Sequence, residues 1–196
     1  WDPVSQTLTY QSTQTLAGAS AFGIALDEQN DLLYVGSGSA VNYYRTSDWA
    51  LAGSFTVSEP AIGIAVDTTR GYVYTAGGFS GYTTYRSLIQ YDLNSGSETS
   101  VDLATLPDYE IGEAVFGVAV DNDTGMIYCT TGYYGDRIRV FDTSLNETDR
   151  TGDIGNPTAI VVPGKAVSYN PIGFTKDDGL EEGECVRTGD TITYTL

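Results

Sequence analysis

Histidine is absent from this 196-residue chain, cysteine occurs twice and methionine once. Without histidine, Ser-His-Asp and Cys-His nucleophile systems are excluded, as are histidine-ligated zinc, copper and non-haem iron. Cys129 and Cys185 are too few for a disulfide framework and form no C-x-x-C pair. Basic residues are also scarce: 9 Lys and Arg stand against 26 Asp and Glu, a formal charge of −17. Nucleic acid and anionic lipid both demand a cationic surface, so neither is an expected partner. No apolar run approaches the ~18–20 residues of a membrane helix, so no membrane insertion is expected. Sustained helical periodicity is missing too. Gly36-Ser37-Gly38-Ser39 has nothing helical behind it and reads as a strand connection, not a phosphate loop.

What the chain does have is repetition. Phe22-Gly23-Ile24-Ala25-Leu26-Asp27 returns as Ile62-Gly63-Ile64-Ala65-Val66-Asp67 and again as Phe116-Gly117-Val118-Ala119-Val120-Asp121. After a polar turn come Leu33-Tyr34-Val35, Val73-Tyr74-Thr75 and Ile127-Tyr128-Cys129. The first strand of each copy is apolar throughout, as for a strand covered on both faces. Third strands follow at residues 40–45, 87–92 and 137–142, and fourth, more polar ones at 51–57 and 99–103. Four antiparallel strands in ~40–50 residues is the period of a β-propeller blade. The expected fold is therefore all-β, a propeller of about four blades or part of one. A degenerate fourth copy, Pro157-Thr158-Ala159-Ile160-Val161-Val162, lacks the glycine and the aspartate. Residues 5–16, with Leu8 and Tyr10, alternate as an outer strand that could complete the last blade. Closure of the ring, a fragment of a longer protein, and completion by neighbouring copies all fit this count.

The phrase with its Tyr-Val partner resembles the YVTN/NHL-like propeller repeats of secreted microbial proteins, over roughly residues 20–163. The closing stretch, with Gly189-Asp190-Thr191-Ile192-Thr193-Tyr194, resembles the opening strands of a DUF11-type Ig-like domain. Blades over 1–169 and an Ig-like segment over 170–196 are the expected domains. The resemblance implies a non-catalytic extracellular module of the cell surface, serving structure or adhesion. Self-assembly into a filament would then use strand addition at Ile192 and Tyr194. Other readings are a carbohydrate-binding propeller and a calcium-dependent propeller hydrolase or lactonase. Expected partners are protein, including further copies of the chain and cell-surface partners, or glycan.

Individual residues carry weaker signals. Asp27, Asp67 and Asp121 recur at one place in every copy, which suits turn capping better than one active site. Calcium is the ion best matched to Asp121 and Asp123 and to the acidic stretch holding Asp177 and Asp178. It needs about 6–8 oxygens, more than either cluster clearly supplies. Two sequons place glycans at Asn122 and Asn146. Aromatic, glycine-rich insertions at 77–86 and 131–137 occupy the same place between second and third strands. Their Phe79, Tyr82, Tyr85, Tyr133 and Tyr134 are the expected partner surface, because tyrosine offers large contact area at low entropic cost. Cys129 sits where other copies have Val35 and Thr75, so a buried free thiol is expected.

Overall fold

The computed structural model describes residues 13, 16, 21–80, 83–132 and 134–162, with backbone only at Phe79 and Ser80. The chain divides into units Trp1–Gly164 and Lys165–Leu196, and all described residues fall in the first. Strands β1 (Ile24–Asp27), β2 (Leu32–Ser37), β3 (Ala40–Arg45) and β4 (Leu51–Thr56) form one antiparallel sheet in sequence order. β5 (Gly63–Asp67) and β6 (Tyr72–Ala76) begin a second. A small hairpin, β7 (Phe79–Ser80) and β8 (Thr83–Thr84), intervenes before β9 (Ser87–Asp92) and β10 (Glu98–Asp102) complete it. β11 (Ala114–Val120), β12 (Ile127–Gly132), β13 (Arg137–Phe141) and β14 (Glu147–Arg150) make the third. These are three propeller blades, each laid down as the repeats foretell. One 3-10 turn, Leu103–Thr105, is the helical element among the described residues, and Asp102 caps it.

Asx turns close the hairpins. Asp27 accepts the Asn30 amide at 3.0 Å, Asp67 those of Thr69 and Arg70 at 3.1 and 3.0 Å, and Asp121 that of Asp123 at 2.9 Å. Four positions further on, Asp31, Gly71 and Gly125 all take the left-handed conformation, with φ of 55°, 75° and 79°. Asp48, Asp92 and Asp142 repeat the device after each third strand. A carboxylate that follows a strand and bonds its own backbone two or three residues on is the shortest route to a reversed chain.

Register explains how blades stack. Ala25 lies opposite Tyr34, Ala65 opposite Tyr74 and Ala119 opposite Tyr128. Ile64 and Val66 pack with Tyr34 and Val41 of the blade before, and Phe55 stacks on Tyr91 with ring centroids 4.0 Å apart. Val118 packs in the same way with Ala65 and Tyr74, in a second cluster that also takes in Leu88, Cys129 and Phe141. Inner strands approach so closely that the peptides Ile62–Gly63 and Phe116–Gly117 lie over Gly23 and Gly63. Any side chain at those glycines would overlap the next blade's backbone, which accounts for the glycine in the repeated phrase.

Two expectations change. Burial on both faces holds for β5 but not for β1, where Ile24 and Leu26 are 65% and 53% exposed while Ile64 and Val66 are 7% and 6%. Each inner strand is covered by the blade before it, and no blade precedes β1 among the described residues. The fourth copy is also displaced: the Ala159–Ile160 peptide crosses Gly117 where the sequence pattern puts Pro157 and Thr158. Without a motif glycine nothing in the sequence pins that register, so the fit over Gly117 decides it.

Candidate interaction surface

On one face of the blades lie the turns carrying Asp27, Asp67 and Asp121. All three carboxylates are committed to their own turns; Asp121 also accepts the Thr124 hydroxyl at 2.8 Å. Asp67 is fully buried and holds Arg70, whose guanidinium reaches on to the Asn122 carbonyl at 3.2 Å. Asn122 in turn accepts the Thr68 amide at 2.8 Å through its side-chain oxygen. A shallow groove lined by Leu26, Glu28, Gln29, Thr68 and Asn122 runs between these turns. Among the described residues no group of three or more Asp, Glu or Cys gathers as a metal site. Asp121 and Asp123 share one turn, and Asp177 and Asp178 lie outside the described residues. Asn146 is exposed, its side-chain amide donating to Asp142 at 3.1 Å.

The opposite face holds the insertions. Residues 106–113 fold back over blade 3 and are clamped there by three arginines. Arg139, fully buried on β13, bonds both carboxylate oxygens of Glu113 at 2.9 and 3.0 Å and Glu147 at 2.7 Å. Arg150 joins Glu147 at 3.0 Å and reaches Asp108; Arg137 donates to the Asp108 carbonyl at 3.1 Å and reaches Glu110. Burial alone would raise the Glu113 carboxyl, but hydrogen bonds from Arg139 and Thr131 and the Arg139 charge outweigh it and hold it below its ordinary value. Burial would likewise lower Arg139, and its bonds to Glu113 and Glu147 reverse that. Removing one partner from such a buried pair costs about 3–5 kcal/mol.

This clamp presents an apolar rim. The Tyr134 ring lies against Gly112, which needs φ of 95°, and Ile111 beside it is almost wholly exposed. Ile154, also exposed, is tied to the same loop by its amide, which donates to the Asp136 carbonyl at 2.7 Å. Tyr85 is half-buried: its backbone bridges Gly78 and Val115, and its Cβ crowds Gly77. Phe79 lies on β7, while Tyr82 and Tyr133 fall outside the described residues, as do Ile192 and Tyr194. The structure thus joins Tyr134 to Gly112, in a loop whose exposed Ile111 sequence reading passed over. One signal was available: three of the chain's seven arginines fall within residues 137–150, facing an acidic insertion. Cys129 is buried and free, and burial pushes its thiol far up.

Taken together, the stacked four-stranded sheets define a β-propeller protein. No family model matches the chain, and no curated protein matches it either. Solved structures do. Kuenenia stuttgartiensis hydrazine synthase is similar over 77% of this chain and 41% of its own, at 18% identity and a TM-score of 0.56. The WD40 repeats of RRP9 are similar over 78% and 46%, at 9% identity and a TM-score of 0.59. A mitotic checkpoint complex chain is similar over 76% and 45%, at 15% identity and a TM-score of 0.58. At these identities the likeness is one of fold. The chain spans less than half the length of each neighbour. No helix among the described residues is long and apolar enough to cross a membrane.

Proposed function

We propose that this chain is a non-catalytic structural and adhesive module of a microbial cell-surface protein, built from YVTN/NHL-like blades and leading into a DUF11-type segment. The observation that carries the reading is the loop rim of blade 3. Ile111 is exposed on the 106–113 loop that the buried Glu113–Arg139 pair fixes, and Tyr134, exposed on the β12–β13 loop, packs against Gly112 of it. A preorganised apolar rim ringed by charge is suited to protein contact, since little side-chain freedom remains to be lost on binding. The recurrent aspartates support the same reading from the other side, because each already serves its own turn. Net charge of −17 and two sequons suit a solvated extracellular surface.

Display of the chain on a bacterial host tests this. Adherence to protein-coated surfaces should appear with the wild type and fall with Ile111→Asp or Tyr134→Ala. In parallel, the purified chain with calcium should turn over no lactone or glycoside. Turnover that is lost in Asp121→Asn with Asp123→Asn would replace this reading by the hydrolase one.

A further inference from the structure

Each ion pair that holds the 106–113 loop to blade 3 runs the same way. The cations belong to the sheet: Arg137 and Arg139 on β13, Arg150 on β14. The anions belong to the loop: Glu110, Glu113 and Asp108. Protonation therefore discharges the loop and leaves the sheet's half of the network standing. That half is self-sufficient, because Glu147 on β14 accepts from Arg139 at 2.7 Å and from Arg150 at 3.0 Å. Fully buried Glu113 is faced by the Arg139 guanidinium, the Thr131 hydroxyl of β12 and the Glu110 amide of its own loop. Glu147, through Arg139, and the buried Cys129 thiol are further titratable neighbours. The clamped loop is also strained, since Asp108 stands at φ 58°, in the left-handed region that costs a non-glycine residue.

We propose that residues 110–113 are an acid-released latch: discharging Glu113 and Glu110 frees them from blade 3 while the three sheets persist, and the rim disperses. The ties that outlast discharge sit earlier in the loop. Arg137 and Arg139 still donate to the Pro107 and Asp108 carbonyls at 3.1 to 3.5 Å, and Leu106 and Tyr109 still pack on the core. The sheets rest on backbone ladders and two apolar clusters, neither of which titrates. Acid also relieves the self-repulsion of a chain at −17, which favours the compact sheets. Glu113 is held below its ordinary value while clamped. The clamp's contribution is therefore complete above that ordinary value and is lost as pH falls through the clamped one. That release ends adhesion rests on the rim reading above; the release itself does not.

Hydrogen exchange of the purified full chain, read by mass spectrometry and corrected for the intrinsic effect of pH, tests it. Peptides covering 110–113 should lose protection about tenfold or more between neutral pH and about pH 3, while those of β11 to β13 keep theirs. Glu113→Gln should show the open segment already at neutral pH, with little further change in acid. If that variant does not fold, Glu110→Gln decides: its release should begin at a higher pH than in the wild type. Adherence of the displayed chain should fall over the same pH range, and Glu113→Gln should adhere poorly at neutral pH. A segment that opens while adherence stays constant upholds the latch and removes the rim from adhesion. Protection of 110–113 that falls only together with that of the strands overturns the proposal. So does a segment equally protected at both pH values.

Discussion

The carbonyl oxygen of Phe116 occupies the space in which a side chain on Gly63 would begin. Blade 3 and blade 2 meet backbone to backbone at that point, so the glycine is a condition of stacking and not of chain flexibility. Gly63→Ala should cost about 3 kcal/mol or more, at or beyond the upper end of overpacking penalties, read as a lower urea midpoint. Gly152→Ala, where a Cβ meets nothing within 4 Å, is the control and should leave the midpoint in place.

Thr75 faces blade 1 from β6 in the position held by Val35 in β2 and Cys129 in β12. Its hydroxyl is buried and bonds to nothing. Thr75→Val keeps the shape and removes the unsatisfied group, so it should raise stability by about 1 kcal/mol. Thermal denaturation measures this directly, and a lowered midpoint would show the hydroxyl to be satisfied in solution.

Glu113 makes blade 3 sensitive to acid. Its carboxyl lies below the ordinary value in the folded chain, so between that value and about 4.3 the unfolded chain binds the extra proton. The stability it contributes is complete above that window and is lost as pH falls through it. Urea unfolding of wild type and Glu113→Gln should therefore differ most near neutral pH and converge in acid. Arg139→Met, which leaves Glu113 buried without its cation, should be the worse of the two at neutral pH, losing about 3–5 kcal/mol. Equal losses at every pH would remove Glu113 from the account.

Asp31 stands at φ 55° where Gly71 and Gly125 stand in the other blades. Asp31→Gly should be neutral or stabilising by a few tenths of a kcal/mol, since relief of the left-handed strain is set against extra freedom in the unfolded chain. Gly71→Ala should do the reverse and cost about 1 kcal/mol. Both are read by chemical denaturation.

How much of this was legible beforehand follows from what the repeat encodes. Strands, turns and blade order could be read because each blade states them afresh, and three copies of one phrase average out local accidents. The capping aspartates could be read for the same reason. The loop rim of blade 3 could be read only in part, through Tyr134 in its glycine-rich insertion and not through Ile111. The loop that carries Ile111, and Gly112 on which Tyr134 packs, is held by a clamp of Arg137, Arg139 and Arg150 on Asp108, Glu110 and Glu113, pairs separated by tens of residues and present in one blade alone. The exposed face of β1 was hidden differently. Its sequence is that of a buried strand, and only the absence of a blade before it, among the described residues, turns a core pattern into a surface.

Adherence of the displayed chain to protein-coated surfaces tests most directly the claim that blade 3 carries a preorganised adhesive rim. The wild type should adhere, and Ile111→Asp should adhere several-fold less at equal display and with an unchanged far-ultraviolet spectrum, since Ile111 is almost wholly exposed and supports no packing. Equal adherence of the wild type, Ile111→Asp and Tyr134→Ala would contradict the account.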